Sequence, residues 1–304
     1  MQDQLGRSLF WMCLSAFFFS LMSLMVRWLS AEVPHATIVF FRSFTNFVIS
    51  LILAWTFFRS ERWHRNQLPL LIFRGLMGFI AVTCLFYAIQ HIPLALSTLI
   101  NWSSPVFVIL FSWIFLKEKT SVRSIPWIVL SFLGLISLVY QPEPTATSSV
   151  QPINQHALMI AWLGSAFAAA AYISVRAAAT KIGVNTIILF FSGIGSLLGL
   201  PWMWVVMQSS APLTMLVTGK LVLMGLLATC GQYCMTQGYR FSSAGKVSSM
   251  GLLNAAFGAI WGWTFFSEVL TPFQWFGAIL IVLGVVGVAG IGVSRKVQVD
   301  STHA

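Results

Sequence analysis

The chain of 304 residues is 58% hydrophobic and only 8% charged, with a mean hydropathy of +0.86. A soluble domain carries roughly 25% charged and about 45–50% apolar residues, so an ordinary soluble core is excluded. The net charge of +10 sits in gaps between apolar runs, where it needs no nucleic acid to explain it, and no nucleic-acid partner is expected.

Ten apolar runs follow one another, each near the roughly 20 residues that cross about 30 Å of hydrocarbon. The first, 8–29, follows Arg7 and lacks a small-residue cleavage site, so it reads as a retained span. The second, 35–58, starts after Pro34, contains Arg42 and ends at the charged stretch RSERWHRN, 59–66. The third, 68–90, contains Arg74, and His91-Ile92-Pro93 separates it from the fourth, 94–116. Lys117-Glu118-Lys119 leads into the fifth, 123–141, and residues 142–155 (PEPTATSSVQPINQ) read as a flexible external linker. Five more runs follow at 156–178, 184–208, 219–241, 244–266 and 272–293. Cys13, Cys84, Cys230 and Cys234 all lie inside runs, without metal spacing or a disulfide framework, so they read as packing residues. No metal or cofactor is expected.

With the N-terminus in the cytoplasm, thirteen of the 17 Lys and Arg residues fall in cytoplasmic segments. That asymmetry is the positive-inside bias, and it puts both termini in the cytoplasm. Sliding the chain on itself by 150 residues lays the first five runs on the second five without a gap. Ser15-Ala16-Phe17 meets Ser165-Ala166-Phe167, Phe40-Phe41 meets Phe190-Phe191, and Gly75-Leu76 meets Gly225-Leu226. Cys84 meets Cys234, Trp113 meets Trp263, Glu118 meets Glu268, and Leu133-Gly134 meets Leu283-Gly284. Five is odd, so the second copy enters the membrane from the other side. The expected fold is an all-α integral membrane protein of ten transmembrane helices in two inverted five-helix repeats. Its divisions are 1–141, the linker 142–155, 156–294 and a cytoplasmic tail, 295–304. Inverted repeats are a recurrent transporter architecture with a midplane site between the halves.

The Phe-Phe-Arg at 40–42, the stretch FYAIQHIPLALSTLINWSSPVFVILFSWIFLKE at 86–118, and GKVSSMGLLNAAFGAIWGWTFFSE at 245–268 carry a resemblance. The chain resembles the drug/metabolite transporter superfamily, specifically the EamA-type members with two five-helix copies. Arg74-Gly75 followed by 86–118 is most similar to a branch that includes bacterial S-adenosylmethionine carriers. The resemblance implies a multi-pass inner-membrane carrier whose cavity is lined by spans 1, 3, 4, 6, 8 and 9.

Ionisable groups within spans cost about 2.5–3.5 kcal/mol at a helix centre, which makes each a functional candidate. Arg74 lies roughly 9 Å inside the third span at 1.5 Å per residue, placed to grip an anionic group bidentately. Snorkelling to cytoplasmic phosphates is its alternative. Arg42, as deep in a span that the resemblance places towards the periphery, reads as structural. In the fourth span Ser97, Asn101 and Ser104 form one polar stripe. Pro105 has no N–H to offer the carbonyl of Asn101, a candidate hinge. Asn254 provides a similar amide in the ninth span. Further stripes carry Trp162, Ser165, Tyr172 and Arg176, and Thr229, Gln232, Tyr233, Thr236 and Arg240. Lipid cannot satisfy such groups, so they face a cavity or glue helices together. Trp102 and Trp261 either stack on substrate or pack. The expected substrate-binding set is Arg74, Asn101, Trp102, Ser104, Tyr172, Gln232, Tyr233, Asn254 and Trp261.

No Asp, Glu or His occupies the middle of a run, so the usual carboxylate or imidazole machinery of proton coupling is missing. No HExxH, GxSxG or paired carboxylates appear, and an enzyme is not expected. The expected function is movement of an amino acid, nucleoside-like or S-adenosyl compound by alternating access. The expected partners are that substrate and the bilayer, with the chain as a monomer. A lipid flippase and a non-transporting scaffold or receptor are the alternatives.

Overall fold

A computed structural model describes residues 4–29, 32–56, 65–91, 100–118, 121–139, 155–208, 213–266 and 272–300. These form eleven α-helices and two short 3₁₀ turns, with no strand among the described residues. The first half contributes α1 (Leu5–Leu29), α2 (His35–Thr56), α3 (Leu68–His91), α4 (Ser104–Phe115) and α5 (Ile125–Val139). The second contributes α6 (Gln155–Ala179), α7 (Val184–Met207), α8 (Met215–Phe241), α9 (Ala244–Met250), α10 (Leu253–Phe266) and α11 (Pro272–Asp300). Six segments, matching α1, α2, α3, α6, α7 and α8, are long and apolar enough to cross a membrane. Outward-facing Leu51, Ile114, Leu197 and Ile279 leave their side chains on the surface, as a lipid surround requires.

Two runs that read as continuous helices are broken. In the fourth, helix ends at Asn101, turns at Trp102-Ser103 and restarts at Ser104. Pro105 cannot donate a backbone bond there. Ser103 instead bonds Ile100 O through its N at 3.1 Å and its Oγ at 2.5 Å. The stripe drawn through Asn101 and Ser104 therefore crosses a turn, while Ser97 lies outside the described residues. The ninth run breaks at Gly251-Leu252 without a proline. Ser248 and Ser249 return their hydroxyls to Gly245 O at 3.1 and 2.9 Å. Gly251 N then reaches Ser248 O at 3.1 Å, the tightened turn that Gly/Ser pairs favour. The two breaks occupy the same place in the 150-residue register to within one residue.

The halves interlock by exchanging partners. The most extensive interfaces are α1 with α8, α3 with α6, α5 with α11 and α2 with α7. Swapping the halves maps this set onto itself, since the first helix of each half meets the third of the other. All four pairs run antiparallel. Ser8 Oγ donates to Gly238 O at 3.0 Å, and Ser15 Oγ to Gly231 O at 2.9 Å. Ala88 clusters with Ala157 while Leu71 clusters with Ala178. Asn185 Nδ2 donates to Ser50 O at 3.0 Å, and Ser137 Oγ to Phe273 O at 2.7 Å. Small residues make such close approach possible. A Cβ on Gly134 would lie 2.6 Å from Gly277 O, so only glycine fits where α5 crosses α11. A shared core of Met12, Ile173, Tyr239, Met250 and Leu252 joins both halves around the breaks.

Candidate functional site

Arg74 lies in the first two turns of α3, facing inward rather than towards the end of the helix. Its residue is 3% exposed, its guanidinium stands 4.1 Å over the Phe191 ring, and its buried Nε has no hydrogen-bond partner. Gly78, one turn on, leaves the space. A Cβ there would collide with Arg74 Nη1 and the Phe191 ring. Cation–π attraction of this kind is worth about 2 kcal/mol when desolvated, a partial offset for a buried charge.

Arg42 and Tyr172 join this group. Each is half-buried. Tyr172 lies within electrostatic reach of both arginines, and Arg42 and Arg74 lie within reach of one another. Tyr239 stacks on Tyr172 with ring centroids 5.8 Å apart and planes 18° from parallel, on the Arg74 side. Among the described residues neither Arg42 nor Arg74 has a carboxylate at ion-pair distance. On α8, Gln232 is 3% exposed and its Nε2 is also unpartnered, whereas the neighbouring Thr229 and Thr236 hydroxyls bond their own helix. Two guanidiniums, aromatic faces and a free amide suit a small molecule with anionic and planar or amphipathic parts.

Other residues expected to bind substrate are held by protein. Asn254 Nδ2 donates to Ala16 O at 3.4 Å, and Trp261 Nε1 to Ser20 Oγ at 2.8 Å, so both tie α10 to α1. Tyr233 Oη accepts from Gln237 Nε2 at 3.2 Å and meets Trp11 edge-on. Trp102 packs on the shared core and lies against Gly251, joining the two breaks. Asn101 is half-buried at the break and Ser104 is buried. Ser103, which the sequence reading passed over, reaches Ser165 Oγ at 3.2 Å across to α6. Phe191 and Tyr239 were missed as well. Phe191 stood out only as a repeat match, and Tyr239 continues the Gln232–Thr236 face of α8.

At one end of the molecule Glu118 and Arg176 make a node between the halves. Arg176 Nε donates to Glu118 Oε1 at 2.9 Å, and its Nη1 to Tyr239 O at 2.8 Å and Arg240 O at 3.2 Å. Glu118 Oε2 accepts from Ala244 N at 3.0 Å, capping α9. Lys117, at φ 54°, holds the left-handed turn that returns Glu118 N to Ser112 O at 3.1 Å. At the other end Lys220 Nζ bonds Glu32 Oε1 at 2.5 Å.

An apolar, all-helical, duplicated chain enclosing unpaired polar groups defines a multi-pass membrane transporter of small metabolites. The chain belongs to the EamA-like transporter family, whose profile matches it twice, over residues 6–140 and 155–290. It is 32% identical to a pseudopaline exporter of Pseudomonas aeruginosa over 278 residues, 91% of this chain and 93% of that protein. It is 31% identical to solute carrier family 35 member G1 of Homo sapiens, covering 93% of this chain and 79% of that one. An S-adenosylmethionine uptake transporter of Rickettsia felis is 26% identical over 135 residues, 44% of each chain. A crystal structure of 14% identity shares the fold, with a TM-score of 0.76 over 96% of this chain and 99% of the other.

Proposed function

We propose that the chain crosses an inner membrane ten times as two inverted five-helix repeats, both termini cytoplasmic, and carries a small anionic or amphipathic metabolite by alternating access. The antiparallel exchange of partners between halves supports the inversion. The exporter and uptake carriers among its relatives support a cargo of metabolite size. The single observation that carries the reading is Arg74, a buried guanidinium with an orphaned Nε and no carboxylate partner among the described residues. An unmatched buried charge is retained only where something matches it for part of the cycle.

In this reading the substrate's anionic group docks on Arg74, its apolar or planar part lies against Phe191 and Tyr172, and Gln232 donates to a carbonyl or hydroxyl. The Glu118–Arg176 node closes the cytoplasmic end. Opening that end separates the node, and the Lys220–Glu32 pair bridges α8 and the α1–α2 turn at the opposite end. The broken fourth and ninth spans give each half a turn that can flex without melting a whole helix.

Flux of labelled metabolites into proteoliposomes tests the reading. Arg74→Ala should raise the half-saturation concentration about tenfold or more, the scale of one hydrogen bond to a charge. Arg74→Lys should recover only part, because it loses the planar fork. Unchanged kinetics in Arg74→Ala sinks the site. Absence of flux from all substrates leaves a scaffold or receptor. Topology is tested separately in a cysteine-free background with Met215→Cys, 94% exposed at one end, and Val122→Cys, 79% exposed at the other. Only the first should label from outside intact cells.

A further inference from the structure

Arg42 reads from sequence as a peripheral, structural arginine, and its place in the fold says otherwise. It lies seven residues into α2, roughly 10 Å at 1.5 Å per residue, and Arg74 lies six residues into α3, roughly 9 Å. Phe44, Val48 and Leu51 face outwards from α2, and Arg42 lies on the opposite side of the helix with buried Val39 and Asn46, so it turns inward. Tyr172 of α6 is within electrostatic reach of both. No Asp or Glu lies in the middle of a span, and among the described residues no carboxylate pairs with either arginine. Two like charges in mutual reach, one of them with an orphaned buried Nε, form a site that is incomplete without negative charge. A single monovalent group would neutralise one guanidinium and leave the other facing it.

We infer that Arg42 is a second substrate-binding residue, and that the cargo carries two anionic groups, one for each arginine, with Tyr172 between them. This rests on the carrier reading above but is narrower. Dicarboxylates and phosphorylated carboxylates share this chemistry, and an anionic lipid headgroup offers it as well.

The test uses purified full-length protein in phosphatidylcholine nanodiscs, with binding measured by calorimetry. The probes are the straight-chain dicarboxylates from succinate to suberate, the monoamide of each, and phosphoenolpyruvate. At least one doubly charged probe should bind about tenfold or more tightly than its singly charged counterpart, the scale of one charge-assisted hydrogen bond. Either Arg42→Gln or Arg74→Gln should abolish that advantage, and Arg42→Lys should keep part of it. Monodispersity and melting temperature confirm that each variant is folded. The relative strength of phosphoenolpyruvate and the dicarboxylates distinguishes the two anion types.

Equal binding of doubly and singly charged probes overturns the inference, as does an advantage that survives Arg42→Gln. So does failure of every probe to bind. Protein in phosphatidylglycerol nanodiscs whose two arginines hold lipid phosphate, shown by lipid retention lost in both Gln variants, assigns the pair to the bilayer and also overturns it. Flux of a neutral or singly charged metabolite in proteoliposomes would leave the carrier reading standing while this inference fails.

Discussion

The two ends of the molecule are closed by ion pairs of different construction. At the Glu118 end the side chains are 12% and 24% exposed, and the pair is tied to three main-chain groups besides. At the Glu32 end the side chains are 33% and 35% exposed and one bond joins them. A carboxylate that accepts from both a guanidinium and a backbone N–H holds a fixed geometry, whereas an exposed lysine pair contributes about 0–1 kcal/mol and is screened by salt. Charge alone does not make a latch; the main-chain bonds around it do.

Glu118→Ala should break the comparison most strongly. It strands Arg176 and uncaps α9, with an expected loss of about 2 kcal/mol. A lowered melting temperature in detergent and faster cysteine labelling at the Glu118 end would register it. An unchanged labelling rate would show that the node does not gate that end. Lys117→Val should cost about 1 kcal/mol, because a β-branched residue resists φ 54°. Lys117→Gly at the same position should keep or raise stability. Lys220→Met should change stability by less than about 0.5 kcal/mol, and its effect should vanish at 0.5 M salt. A larger loss there would make the two ends equivalent.

Much of this was legible in the sequence. Apolar runs of spanning length and the 150-residue register disclosed the helical class and the duplication, because lipid constrains composition so tightly. The paired glutamates marked Glu118 before its partner was known. The breaks were half legible: Pro105 signalled one, but the serine back-bonding that turns the chain at Gly251 depends on which carbonyls the hydroxyls choose. Arg74 was visible as a charge in a span. That Arg42 turns inward was not, since helical periodicity places a residue on a face but does not say which neighbour that face meets. The same limit applies to Asn254 and Trp261, whose partners on α1 come from the far end of the chain.

The exchanged pairing of the halves bears on how the protein is made. Helices α1, α2, α3 and α5 find their most extensive partners in α8, α7, α6 and α11, all synthesised later. The first half therefore enters the bilayer with its small-residue faces, among them Ser8, Ser15 and Gly134, still unmatched. Assembly waits for the second half to arrive and close around it. Either half expressed alone should be degraded or aggregate, while the two coexpressed as separate chains should protect one another.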